Sequence, residues 1–428
     1  MNQLYHIYHK YKNLEFIYII PLVLLALDKK LDHYFWRLRS GYGFPQSEDS
    51  QWYIDYAHNL MATYKIGLTM NDLLYVGYNV LLTVLLAIVK EPENILLIQA
   101  VTASLNVILV YLITRKLFNR LSAIFASYFY SEAWDTTLWA MYILSESFFI
   151  SVMLLCIYFL VMMMDTKQRK YQILFAVTAF YMMIFRPTGI ILLAFIFGYI
   201  LYNLKKETIL HFVKKYRYVL GGLITAVVVA AVYFLAGDKL EPLVTSMQFN
   251  AKKVMYNIYA KGWIYDKPTA FDAPFKPDYN INILNSLVLS FIINNWDHVM
   301  AIYGRRSIAF FGPWVWETNI HTLHGIKKLI LNLIPTGLFL AGTVGAFMNK
   351  QFKKVSIVWL IILSIFIFCV IFFIDWMYRY KVPATPFIAI AAGYGAERII
   401  HVAIVIAKKY TGLLLHGSRQ SADRHTSV

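Results

Sequence analysis

The sequence is poor in charge, in acid and in cysteine, and each shortage closes off a class of protein. Only 15% of its 428 residues are charged, while 59% are hydrophobic. A soluble globular chain carries about 25% charge. A soluble chain of this length would divide into domains with polar surfaces. The residues to build those surfaces are missing, which excludes a soluble enzyme and an intrinsically disordered chain. Cysteine occurs twice, at Cys156 and Cys369, each within an apolar run. That excludes a disulfide scaffold, and both read as small core residues rather than redox or metal groups. Acids are outnumbered, 24 against 40 Lys+Arg, for a net charge of +16. Internal repeats and low-complexity tracts are absent, as is a Gly-rich phosphate loop, so direct use of a nucleotide sugar is not expected.

What is present is apolar sequence in long runs. A transmembrane helix needs about 20 mostly apolar residues. About ten such spans are predicted, at 13–28, 94–114, 121–138, 146–164, 171–187, 188–204, 218–236, 329–348, 355–374 and 384–406. The N-terminal run is read as uncleaved, because no small-residue site follows it. Aromatic residues make up 17% of the chain, as suits membrane–water boundaries.

Charge sets the orientation. The turns holding Lys10/Lys12, Arg115/Lys116/Arg120, Lys167/Arg169/Lys170, Lys205–Arg217, Lys350–Lys354 and Lys408–Arg424 carry 20 of the 40 cations. Their only acids are Asp165, Glu207 and Asp423. The cationic side is therefore expected to be cytoplasmic. The basic excess is a topological girdle and not a nucleic-acid footprint. The expected fold class is all-α integral membrane, with external juxtamembrane helices and both termini cytoplasmic. One polytopic domain over 1–410 is followed by a polar cytoplasmic tail over 411–428. The expected site is the external (periplasmic) face of the plasma (inner) membrane, where two long segments, 29–93 and 237–325, hold most of the acids.

Residues 50–64 place Trp52, Tyr53, Tyr56, Ala57, Leu60 and Met61 at helical spacing. This predicts an amphipathic helix along the membrane surface, capped by Asp49 or Ser50. Residues 73–89 are apolar enough to enter the bilayer. A full crossing there would put Arg115 and Lys116 outside, so the charge pattern favours a re-entrant or surface helix. Asp49 reads either as a helix cap or as a general base at the membrane boundary, a role worth about 10² to 10⁴ in rate. Asp72 reads as a cap or as a second acid in the site. Glu146, at the start of an apolar run, reads as a dipole partner or as a partner to arginine or acceptor. Asp135 carries the same ambiguity.

The pattern of Asp49, Tyr53, Ala57 and Asn59-Leu60 after the first span resembles the acidic motif of C-type, membrane-embedded glycosyltransferases. The nearest branch is the protein O-mannosyltransferase-like group, which includes the aminoarabinose transferases acting on lipid A. Further resemblances follow in order: Leu112–Phe118, Ser145-Glu146-Ser147-Phe148, Arg186-Pro187-Thr188-Gly189, and Tyr378-Arg379-Tyr380-Lys381 with Val382-Pro383-Ala384-Thr385-Pro386. They cover most of 15–200 and again 375–395. The chain departs from that group at Val76-Gly77-Tyr78-Asn79, where relatives have a Pro-rich run, and in the order Glu48-Asp49. The resemblance implies a transferase that takes a sugar from a polyprenyl-phosphate donor. The sugar passes, with inversion, to a hydroxyl acceptor on a lipid, glycan or protein.

An anionic leaving group at the membrane surface needs cations inside the bundle. Arg186, Arg379 and Lys381 are such cations, each at a predicted outer span end and close to a proline; an arginine fork can hold phosphate oxygens in pairs. Snorkelling to lipid headgroups is the plainer reading. Arg305 and Arg306 are a further cationic pair for donor phosphate or for headgroups. Tyr53, Glu146 and Asp72 complete the expected substrate contacts. No metal or cofactor is expected: His321, His324, Asp297, His298 and Glu317 lack a paired-ligand framework. Trp263, Trp296, Trp314 and Trp316 in the second external segment are expected to cover the cavity and select the acceptor, with 282–303 as another surface helix. A flippase for a polyprenyl-linked glycan is the rival reading, and a non-catalytic envelope subunit is a third.

Overall fold

A computed structural model describes residues 14–235, 241–264, 268–269, 271–312, 319–371 and 377–425. Trp314, Trp316 and Glu317 lie outside the described residues. Among the described residues all regular structure is helical. In chain order the helices are α1 (Phe16–Arg39), α2 (Glu48–Thr63), α3 (Met70–Leu74), α4 (Val76–Val89), α5 (Pro92–Leu117), α6 (Arg120–Glu132) and α7 (Trp134–Trp139). There follow α8 (Ser145–Thr166), α9 (Arg169–Phe185), α10 (Pro187–Asn203), α11 (Lys206–Leu235) and α12 (Glu241–Val254), which runs into a π-helical turn, Met255–Ala260. The last are α13 (Leu287–Asn294), α14 (Trp296–Phe311), α15 (Leu323–Met348), α16 (Phe352–Val355), α17 (Ile357–Phe366), α18 (Met377–Lys381) and α19 (Thr385–His425).

Among the described residues, four helical stretches are long and apolar enough to cross a membrane: Pro92–Leu117, Ser145–Thr166, Leu323–Met348 and Met377–Lys409. Val76–Val89, Pro187–Asn203 and Ile357–Ile371 are shorter apolar helices. The 14 residues of α4 rise about 21 Å, less than the ~30 Å of a hydrocarbon core. The outward faces are also apolar. Phe180, Phe197, Leu201, Leu340, Val344 and Val402 are all exposed, a surface that water would not tolerate over such an area. The chain is thus an all-α protein built for a membrane.

Helix α5 is the hub, packing against α1, α6 and α8. It buries Val107, Val110, Tyr111 and Ile113 completely. Helix α19 packs against α6 and α15. Without a hydrophobic drive between helices in lipid, small residues let backbones approach. A Cβ on Gly395 would lie 1.9 Å from the Leu338 carbonyl oxygen, so only glycine allows the α15–α19 crossing as it stands. The segment between 237 and 325 has its own core, in which Met255, Ile258 and Tyr259 pack on Phe291, Val299 and Ile302.

Several expectations are corrected. The run 121–138 is not one helix: the chain turns extended at Ala133 (φ −66°, ψ 104°) between α6 and α7. A continuous apolar helix would have held both Glu132 and Asp135. The break lets Glu132 meet Lys29 at 3.1 Å. Helix α1 runs past residue 28 to Arg39. Helix α2 is capped by Ser47, whose extended backbone (φ −122°, ψ 163°) lets its side chain accept from the Ser50 amide, and not by Asp49 or Ser50. The surface helix expected over 282–303 is two helices, broken at Asn295.

Candidate active site

Four residues from four distant parts of the chain meet at one place. Asp49 lies in the first turn of α2, Glu146 in the first turn of α8, and Arg379 on the short α18. Arg186 sits between α9 and α10 with φ −157° and ψ 151°. Local sequence dictates that break. The residue before a proline is pushed into the extended region, and Pro187 then opens α10 at a position where its missing N–H costs nothing. Gly189 completes the turn: a Cβ there would lie 2.0 Å from the Met182 carbonyl oxygen.

Glu146 is fully buried and joins both arginines through one oxygen. Arg379 Nε donates to Glu146 Oε1 at 2.5 Å, and Arg186 Nη1 lies 3.0 Å from the same atom. Arg379 Nη1 also pairs with the Asp49 carboxylate. The buried part is Arg186, Glu146 and Arg379, of which the two arginine side chains are 1% and 5% exposed. Asp49 stands at the mouth with its side chain 52% exposed. Two cations and two carboxylates therefore balance, but the buried three alone carry one positive charge. Arg186 Nε and Nη1 and Glu146 Oε2 are buried and make no hydrogen bond. A native interior rarely leaves charged donors in that condition.

Aromatic rings enclose the pair. The Arg186 guanidinium lies 5.0 Å from the Tyr380 ring, 5.6 Å from Phe149 and 6.0 Å from Tyr75. The Arg379 guanidinium lies 5.2 Å from the same Tyr380 ring. Tyr53, one helical turn beyond Asp49, is buried and meets Tyr78 edge-on at 4.8 Å. Burial, chiefly, pushes the Tyr53 phenol well above its usual range, so it stays a neutral donor. Burial likewise raises Tyr75. Tyr75, Tyr78, Tyr380 and Phe149 were not assigned to the site from sequence. The available signals were Tyr380 beside Arg379 and the i, i+3 spacing of Tyr75 and Tyr78 at the start of α4.

The other expected residues lie elsewhere. Lys381 shares α18 with Arg379 but lines a separate cavity with Asp135. Asp72 closes a capping box on α3, accepting from the Thr69 amide at 2.8 Å and its hydroxyl at 2.6 Å. Arg305 donates to the Phe271 carbonyl at 2.5 Å. Arg306, on the next position of α14, donates to the Cys369 carbonyl at 3.0 Å and ties α14 to the turn after α17. Among the described residues no three His, Cys, Asp or Glu side chains gather in a metal-holding group. His298 Nε2 instead contacts the Tyr259 carbonyl at 2.7 Å.

Residues 76–234 match the family model described as dolichyl-phosphate-mannose-protein mannosyltransferase. That stretch contains Glu146 and Arg186 but neither Asp49 nor Arg379, which the fold brings to them. No curated protein matches the chain. Among solved structures, the archaeal oligosaccharyltransferase AglB from Archaeoglobus fulgidus, in complex with an inhibitory peptide and a dolichol-phosphate, is similar. Its TM-score is 0.50 at 12% identity, over 94% of this chain and 52% of that one. The Archaeoglobus fulgidus oligosaccharyltransferase in the apo form has a TM-score of 0.47 at 10% identity, over 89% of this chain and 50% of that one. The chain spans about half the length of these structures, and the likeness is one of fold. Over residues 76–234 the family model agrees with the motif resemblance, and the oligosaccharyltransferase with bound dolichol-phosphate shares the fold.

Proposed function

We propose that the chain is a membrane glycosyltransferase that moves a sugar from a polyprenyl-phosphate donor to a hydroxyl acceptor on a lipid, glycan or protein. The observation that carries this is the buried Arg186–Glu146–Arg379 chain closed by a half-exposed Asp49. Arg186 and Arg379 hold the donor phosphate, and the donors that Arg186 leaves without an acceptor find phosphate oxygens. As the bond between the sugar C1 and the phosphate oxygen breaks, the phosphate charge grows from one toward two. Fixed guanidinium groups in a site closed to water favour that state over the ground state. The Coulomb term is about 4 kcal/mol per pair at ~4 Å and an effective dielectric of ~20.

Asp49 accepts the proton of the acceptor hydroxyl as its oxygen forms the new bond to C1. A single displacement inverts the configuration. Asp49 is held by Arg379, at the place a donor anion would take. A monoanionic phosphodiester can replace it without changing the charge of the cluster, which frees the base only when donor is present. Glu146 keeps two arginines together that would otherwise repel. The excess of cations in alternate turns supports about ten spans, cytoplasmic termini and a site on the external face of the plasma membrane.

The test is Asp49→Asn in purified protein. Turnover should be lost while polyprenyl phosphate binds at least as tightly as to wild type. Wild-type turnover in the folded variant would sink the assignment. Radiolabelled donor separates the rivals: cleavage to polyprenyl phosphate marks transfer, and movement across a vesicle without cleavage marks a flippase.

A further inference from the structure

A cavity of about 580 Å³ lies beside Lys381, where α6, α7, α14, α15 and α19 meet. Its size is that of a small-ligand site, ~300–1,000 Å³. Phe310, Phe311, Phe339 and Ile388 give it an apolar wall. Lys381 is only 5% exposed, and its ammonium faces two rings, Phe310 at 5.4 Å and Tyr378 at 5.6 Å. Among the described residues neither Lys381 nor Asp135 has a hydrogen bond or an ion pair, although both line the cavity. Asn332 Nδ2 also lines it, buried and without an acceptor. Glu132, at the rim, is already paired with Lys29.

A buried cation and a half-buried carboxylate that face one cavity without coming within ion-pair distance, with an amide donor beside them, define a ligand of two charges. It must offer acceptor oxygens to Lys381 and Asn332 and a cationic donor to Asp135. The wall continues along α15 through Leu331 and Ile334, which are exposed, so an apolar chain has a way out toward hydrocarbon. We propose that this cavity binds the headgroup of a zwitterionic phospholipid of the phosphatidylethanolamine type, its phosphate on Lys381 and Asn332 and its ammonium on Asp135. Such a ligand adds no net charge to a site of low dielectric, and it pairs each buried group. An anionic lipid would satisfy Lys381 but would set like charge against Asp135. The site is separate from the arginine cluster, yet Lys381 and Arg379 share α18. On the proposed function above, a bound headgroup steadies the helix that presents Arg379 to the donor.

The test reads lipid binding and needs no sugar donor, so its failure leaves the transfer reading standing. Purified protein is equilibrated with equal amounts of phosphatidylethanolamine and phosphatidylglycerol, and bound lipid is counted by native mass spectrometry. Wild type should retain phosphatidylethanolamine about tenfold over phosphatidylglycerol. Lys381→Met should lower that retention about tenfold, and Asp135→Asn should shift preference toward phosphatidylglycerol. Ala392→Phe fills the cavity without touching charge and should displace the lipid, which covers the case in which Lys381→Met does not fold. Equal retention of both lipids by wild type overturns the proposal. So does full retention in Ala392→Phe.

Discussion

Arg379 and Lys381 are two residues apart on one short helix, and they end in opposite surroundings. Residues at i and i+2 point about 200° apart around a helix. Arg379 turns to two carboxylates and another arginine. Lys381 turns to ring faces and a cavity. Both are buried, so burial alone does not distinguish them. The difference is in the counter-charge. A buried charge is kept either by a partner in the protein or by a ligand that supplies one. The arginine cluster is nearly complete in itself and is short by one anion when Asp49 moves away. The lysine cavity is incomplete at both signs.

Substitutions can sharpen that contrast. The largest effect is expected from Glu146→Gln, which leaves two arginines buried against each other. Removing one partner of a buried ion pair costs about 3–5 kcal/mol, and thermal unfolding in detergent should show a marked fall. A wild-type melting temperature would mean that Glu146 does not hold the pair. Next comes Asp49→Asn, for which a loss of about 10² to 10⁴ in turnover should appear with a smaller fall in stability than Glu146→Gln, because the Asp49 side chain is half exposed. Arg186→Lys keeps the charge but loses the fork, and the two are not equivalent at a bidentate site. Transfer should fall by about tenfold to a hundredfold, the worth of roughly one charge-assisted hydrogen bond, chiefly as weaker donor binding. Lys381→Met should have the least effect on transfer, under about tenfold, while changing lipid retention most. If Lys381→Met and Arg379→Met proved equally inactive and equally unable to bind donor, the two sites would be one.

Parts of this were legible in the chain. Pro187 after Arg186, with Gly189 two residues on, encodes the break that turns the arginine inward, because each acts on its own backbone. The cap-and-aromatic pattern over 47–63 encodes α2, although the serine before the acidic pair does the capping. Apolar runs encode the spans, and their ends agree with the helices at α9 and α10 to within a few residues. Asp49, Glu146, Arg186 and Arg379 could each be named from position and residue type. Proximity in sequence and charge would group Lys381 and Asp72 with them, whereas helix geometry brings one to another cavity and the other into a capping box. The break at Ala133 left no proline or glycine to announce it.

Composition alone puts this chain in a membrane, since so few charged residues could not clothe it in water, and it supplies the acids and cations from which a site can be made. That Asp49, Glu146, Arg186 and Arg379 form one ion-paired chain while Lys381 stands apart follows from the packing of the helices. Contacts across up to 330 positions depend on how helices cross, and no local propensity carries that information.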